Sequence, residues 1–333
     1  MNKVEILAQV LRNGLEESVH TGHIVVTDHN GTILAAVGNP DYKTFWRSAA
    51  KPIQALAVIE AGAVQTFDLE PAEIALLCAS HNAEPEHIRV AQQLAAKIQA
   101  DVTELHCGLH YPTHRPTAQE MRQRGEQPQP WHSNCSGKHL GMLALARCKG
   151  WDTQGYWLPE HPVQQEMLNM VSNYTDQAVT DIGLGVDGCG VPVFHLPLKS
   201  MAMAYARLVS SQRTYVADTV VRAMISSPYY VAGSDRICTD LMQVTRGRLL
   251  AKSGYEGVYC VGLVDQGQGL ALKIADGNPR ALGPILIEAL QQLGWLTSTE
   301  KNKLASYWQV EVKNFHNAVV GTIKPVFKLA FHR

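Results

Sequence analysis

Strand-forming segments crowd the two ends of this 333-residue chain, and helical ones fill its middle. "VEILAQVLR" opens the chain as a strand pattern, followed by "HIVVTD" and "TILAAVG" on either side of His29-Asn30-Gly31. Asn-Gly between two β-rich runs predicts a tight hairpin, because both residues tolerate the left-handed backbone that such a turn needs. From Ser48 the apolar spacing shifts towards 3.6 and predicts helices over 48–61, 71–78, 84–99, 136–149, 162–175, 198–211 and 215–226. Strand patterns return in "GRLLAKSG", "GVYCVGLV" and "GLALKIAD", then a helix over 281–293 and a closing β-like stretch, "NAVVGTIKPVFKL". This distribution predicts an α+β fold in which residues 1–45 and 245–333 together build one antiparallel sheet. Residues 46–244 form a mainly helical part within the same structural unit.

Composition narrows the function classes. Basic and acidic residues number 29 and 30, so no general field favours nucleic acid or an anionic membrane. No apolar run is long enough for a signal peptide or a bilayer span, and seven scattered cysteines do not read as a disulfide framework. The expectation is a cytoplasmic protein with reduced thiols and a small-molecule substrate.

The segment "RSAAKPIQALAVIEAG" carries Ser48 and Lys51 three apart at the start of an apolar helix. Such spacing places the amine and the hydroxyl on one face. A lysine held away from water loses part of its preference for the charged form, and its neutral amine can then deprotonate a serine. The competing reading makes Ser48 a helix N-cap. The same S-x-x-K spacing recurs at Ser298–Lys301 amid charged neighbours, where Thr297 and Glu300 read as a capping box. Two further pieces follow in order: Ser80-His81-Asn82 after an apolar helix, and Lys252-Ser253-Gly254 on a late strand. S-x-x-K, S-x-N and K-[ST]-G in that order form the signature of serine β-lactamases and penicillin-binding proteins. It predicts acyl transfer through serine.

"NCSGKHLG" puts Cys135 and Lys138 at a helix start, and "VDGCGVP" puts Cys189 just after Asp187. From the residues alone two readings stay open. The thiols are either buried packing groups or part of a zinc site that other ligands complete. Gly137-Lys138 lacks the rest of a phosphate loop, and Pro192 argues against a nucleotide-binding helix after Gly183-Leu-Gly-Val-Asp-Gly188. His106, His110 and His114 are spaced by four, but Pro112 breaks their helical face, so they read as a solvated loop.

Taken together, "RSAAKP", "CASHN", "NCSGKH", "DGCGVP", "AKSGYEGVY" and "ALKIADGN" resemble the type II L-asparaginase family of rhizobial type over nearly the whole chain. The resemblance implies a β-lactamase-like fold, usually a homodimer, that hydrolyses L-asparagine to aspartate and ammonia. It implies two serine–lysine pairs, Ser48 with Lys51 and Ser80 with Lys252. It also implies a zinc site on Cys135, Lys138 and Cys189 with Asp187 nearby. Arg47, Asn82, Lys138 and Asp187 are the candidates for holding the substrate's charged groups. Rival readings are a β-lactamase-like amidase, which nitrocefin turnover would reveal, and a zinc-dependent amidohydrolase, which chelation would silence. A non-catalytic thiol or zinc sensor would form no covalent serine adduct.

Overall fold

The computed structural model describes residues 4–332, which cluster into two compact units. The first comprises residues up to Thr44, Leu196–Ser211 and Asp240 onwards. Its sheet runs, edge to edge, through the strands Val310–Lys313, Val319–Pro325, Glu5–Arg12, Leu15–Asp28, Gln268–Ile274, Val258–Leu263 and Leu249–Ser253. Neighbours are antiparallel throughout. The two chain ends therefore interleave, as the strand patterns predict.

The long strand Leu15–Asp28 exchanges partners along its length. Its first part pairs with Glu5–Arg12, and its second part with Ile33–Val37, where Ile24 faces Val37. The intervening turn holds Asn30 and Gly31, and Gly31 adopts φ 88, the left-handed conformation that Asn-Gly announces. The strands Leu249–Ser253, Val258–Leu263 and Gln268–Ile274 are buried at almost every position, which is why they read as continuous apolar runs instead of alternating ones.

The helix Leu198–Leu208 packs on Gln268–Ile274, Leu15–Asp28 and Val258–Leu263. Residues 196–211 thus interrupt the stretch 46–244 and cluster with the sheet. The physical reason is an apolar face built from Met201, Ala202, Tyr205 and Ala206, all fully buried. Contact there is close: a Cβ on Gly269 would lie 2.0 Å from Ala202 O.

The second unit comprises Phe45–His195 and Gln212–Thr239 and is mainly helical. Its central helix, Lys51–Glu60, is buried from Lys51 to Ile59 and packs against the helices Pro162–Thr175, Tyr215–Ser226, Ser136–Lys149 and Pro71–Leu77. A helix apolar on all sides belongs inside a bundle. Several elements, among them a helix and a hairpin, were not foreseen in the sequence. The helix Arg115–Gln123 is capped by His114, whose side chain accepts from Thr117 N. The strands Gly183–Val186 and Pro192–Pro197 form a hairpin in which Val186 faces Pro192.

Candidate active site

The segment around Ser48 begins with a buried anchor. Trp46 is fully buried and donates its backbone N–H to Phe194 O at 2.8 Å, tying the chain to the hairpin strand. Arg47 then adopts φ 52, a left-handed conformation that costs a non-glycine residue roughly 1 kcal/mol. A single 3₁₀ turn, Arg47–Ala50, follows, and the α-helix starts only at Lys51 with Pro52 in its first turn. This corrects the expectation of an α-helix from Ser48. Pro52 lacks the N–H that an earlier start would use, while the tighter turn lets Lys51 N bond Ser48 O.

Ser48 caps no helix, and among the described residues its hydroxyl has no hydrogen-bond partner. The Lys51 amine is 1% exposed and meets Ala79 O at 2.5 Å, Ser80 Oγ at 3.1 Å and Cys135 Sγ at 3.2 Å. The amine that the spacing assigned to Ser48 is thus hydrogen-bonded to the second serine. Lys252 lies in the sheet unit, fully buried on Leu249–Ser253, and its amine donates to Ser253 O at 2.8 Å.

Ser80 follows the helix Pro71–Leu77 in a segment held from both sides. Its backbone N–H donates to Val231 O at 3.0 Å, and Asn82 N donates to Ala232 O at 2.9 Å. The Asn82 amide is fully committed. It donates to Ser234 O at 2.9 Å and Glu84 Oε1 at 3.4 Å, and it accepts from Arg236 Nη1 at 2.6 Å and Thr113 Oγ1 at 3.2 Å. Arg236, Ser234 and Glu84 carry no motif, and the sequence held no signal for them.

Cys135 precedes the helix Ser136–Lys149, and Lys138 stands in its first turn. The hairpin turn offers Asp187 and Cys189: Asp187 N bonds Val191 O at 2.8 Å, and Gly190 closes the turn with φ 85. The Lys138 amine lies 3.0 Å from Cys189 Sγ. A hydrogen bond between the two thiols, together with Lys138, pulls Cys189 down to about 5 against the effect of its burial. The same bond, with burial, pushes Cys135 up to about 12. Burial works against the charge on Lys138, but Cys189, Cys135 and Asp187 outweigh it and raise its pKa. The Lys138 amine and the Cys189 sulfur therefore each favour the charged form of the other. Arg47 holds Asp187 Oδ1 through Nε at 3.0 Å and Nη2 at 2.9 Å. Burial opposes the charge on Asp187, yet Lys138 and Arg47 hold its carboxyl below the ordinary value.

Among the described residues no group of three or more His, Cys, Asp or Glu stands close enough to hold a metal ion. Any metal here would need the lysine as a donor. Two sulfurs sharing a hydrogen bond and an amine in contact with one of them form a soft, nitrogen- and sulfur-rich set. That chemistry fits zinc once the thiols and Lys138 release their protons.

An α+β chain with a buried lysine amine on a serine hydroxyl has the parts of a serine-dependent hydrolase. The chain matches the family described as L-asparaginase II over residues 8–325, and it belongs to that family. It is an amidohydrolase of the L-asparaginase kind. No curated protein matches it. In fold it is similar to a putative β-lactamase from Bacteroides dorei, at 12% identity and a TM-score of 0.43, covering 81% of this chain and 93% of that one. A second similar structure is Mglu in its native form, at 15% identity and a TM-score of 0.37, covering 83% of this chain and 61% of that one. A third is a mutant of simvastatin synthase (LovD) from Aspergillus terreus, at 11% identity and a TM-score of 0.33, covering 76% and 86% respectively. No helix among the described residues is long and apolar enough to cross a membrane.

Proposed function

We propose that this protein hydrolyses L-asparagine to L-aspartate and ammonia through an acyl-enzyme on Ser48, with Lys51 as base and Ser80 as proton relay. The observation that carries the reading is the buried Lys51 amine, 3.1 Å from Ser80 Oγ and one 3₁₀ turn after Ser48. Residues three apart in such a turn stack above one another, which sets the amine on the side of the free Ser48 hydroxyl. Ser48 Oγ attacks the side-chain carbonyl and gives its proton to Lys51. The C–N bond then breaks while the proton passes through Ser80 Oγ to the departing nitrogen. Water attacks the ester carbonyl, Lys51 takes its proton, and the proton returns to Ser48 Oγ as aspartate leaves. Positioned proton transfer of this kind contributes about 10²–10⁴ in rate.

The test is covalent trapping. Reaction of the protein with an asparagine analogue whose side chain ends in a diazoketone should label one serine, located by peptide mapping. Labelling should persist in Ser80→Ala and vanish in Ser48→Ala. Labelling confined to Ser80 would exchange the two roles.

Cys135, Lys138 and Cys189 would hold zinc in this reading. Bound there, the ion would supply positive charge that orients the substrate, while the serines and Lys51 carry the bond-making steps. Purified protein should then contain about one zinc per chain, and Cys135→Ser, a poorer ligand, should lose it. KM should rise in that variant more than kcat falls. A folded, zinc-free variant without any kcat would make the metal part of the chemistry and remove the serine mechanism.

A further inference from the structure

We propose that Arg236 receives the α-carboxylate of the substrate amino acid, an inference that rests on the asparaginase reading above. A free amino acid brings a carboxylate into the site, and discrimination against simple amides requires a cation to meet it. Most cations of the helical unit's site already have strong partners. Arg47 places two nitrogens on Asp187 Oδ1, Lys138 donates to Cys189 Sγ, and Lys51 is engaged by Ala79 O, Ser80 and Cys135.

Arg236 differs. Among the described residues its one hydrogen bond is Nη1 to Asn82 Oδ1 at 2.6 Å, and no carboxylate pairs with it. The nearby acid, Glu84, spends its two oxygens on Ser234 N at 2.7 Å and Ser234 Oγ at 2.9 Å. With one nitrogen pinned to a neutral amide, the planar guanidinium still has its Nε and Nη2 donors in fork geometry, the arrangement that fits a carboxylate. Arg236 is half-buried and Thr113, on the same Asn82 oxygen, is exposed, so this side of the network opens to solvent.

Through Asn82 the guanidinium is also tied to the segment that carries Ser80. Backbone hydrogen bonds lay residues 231–232 along 80–82, and Asn82 Nδ2 grips Ser234 O. Gly233, at φ 111, allows this approach: a Cβ there would fall 2.5 Å from Glu84 Oε1 and 2.8 Å from Asn82 Nδ2. Asn82 therefore acts as a positioning residue, and the charge it positions is Arg236.

The test compares Arg236→Gln and Arg236→Lys with wild type on three ligands. L-Asparagine and L-aspartate carry the carboxylate, and β-alaninamide is asparagine without it. In Arg236→Gln, kcat/KM for L-asparagine and calorimetric affinity for L-aspartate should each fall at least about tenfold, the usual worth of a hydrogen bond to a charge. Inhibition by β-alaninamide should stay within about twofold. Arg236→Lys, with charge but no fork, should lie between, and it serves as the test variant if the glutamine protein does not melt cooperatively. Equal losses with all three ligands would mark Arg236 as merely structural, and unchanged L-aspartate affinity would remove it from the site. Either result overturns the proposal. A wild type that binds L-aspartate in an Arg236-dependent way yet turns over no asparagine would overturn the reaction and leave Arg236 standing.

Discussion

His81 and His87 stack at 5.2 Å inside the helical unit, and both are fully buried. His81 Nδ1 accepts from Ala83 N at 3.1 Å, which leaves the proton on Nε2, facing Ser136 Oγ at 2.9 Å. A neutral ring uses both nitrogens. Burial, followed by His87 and Lys51, pushes the His81 pKa well below 6.5, and burial likewise lowers His87. In the unfolded chain both rings protonate near pH 6.5. Below that pH the unfolded state binds more protons, so stability is full above about 6.5 and is lost as pH falls beneath it. The expected slope approaches about 1.4 kcal/mol per pH unit for each ring. Urea unfolding between pH 7.5 and 5 should show it, above the range where carboxylates titrate. His81→Gln should remove one proton's share of the slope; a flat profile in wild type would disprove the assignment. At this scale the sequence was legible in part. Ser48, Lys51, Ser80, Cys135, Lys138 and Cys189 stood out by motif. Spacing along a helix cannot say which hydroxyl an amine reaches, and the Lys51–Ser80 contact bridges 29 positions by tertiary packing. Arg236 meets Asn82 across 154 positions, with no local pattern to mark it.

The helix Ser136–Lys149 delivers Lys138, and its placement depends on one small residue. A Cβ on Gly137 would lie 2.1 Å from Leu76 O, so the two helices approach almost backbone to backbone. Gly137→Ala must push the helix away from Pro71–Leu77. Overpacking of this kind costs about 1–3 kcal/mol, against a gain in helix propensity of roughly 1 kcal/mol. The net expectation is a lower urea midpoint with an unchanged m-value; a midpoint at or above that of wild type would show that the contact can relax. The helices over 136–149, 162–175 and 215–226 were legible to the residue, because their apolar spacing is sustained for three turns or more. The helix Arg115–Gln123 was not, since only Ala118 and Met121 are buried and, Pro116 apart, the rest is polar. The hairpin strands at 183–186 and 192–197 were equally obscure: short, interrupted by glycine and, over the first strand, largely exposed.

For the whole molecule, strands at both ends predicted the sheet, and its order confirms their interleaving. The helix Leu198–Leu208 was legible as a helix, but not its place on the sheet, because an apolar face says that something is covered, not what covers it. The interleaving also sets a timetable for synthesis. Asp28 pairs with Gln268, and Leu11 pairs with Thr322. The N-terminal strands thus leave the ribosome with their partners still about 240 to 310 residues away. At translation rates of roughly 5–20 residues per second the wait is on the order of tens of seconds. For that time the nascent chain carries unpaired strand edges, the form most open to association with other chains. The yield of folded protein should therefore depend on how fast the residues between these paired strands are made.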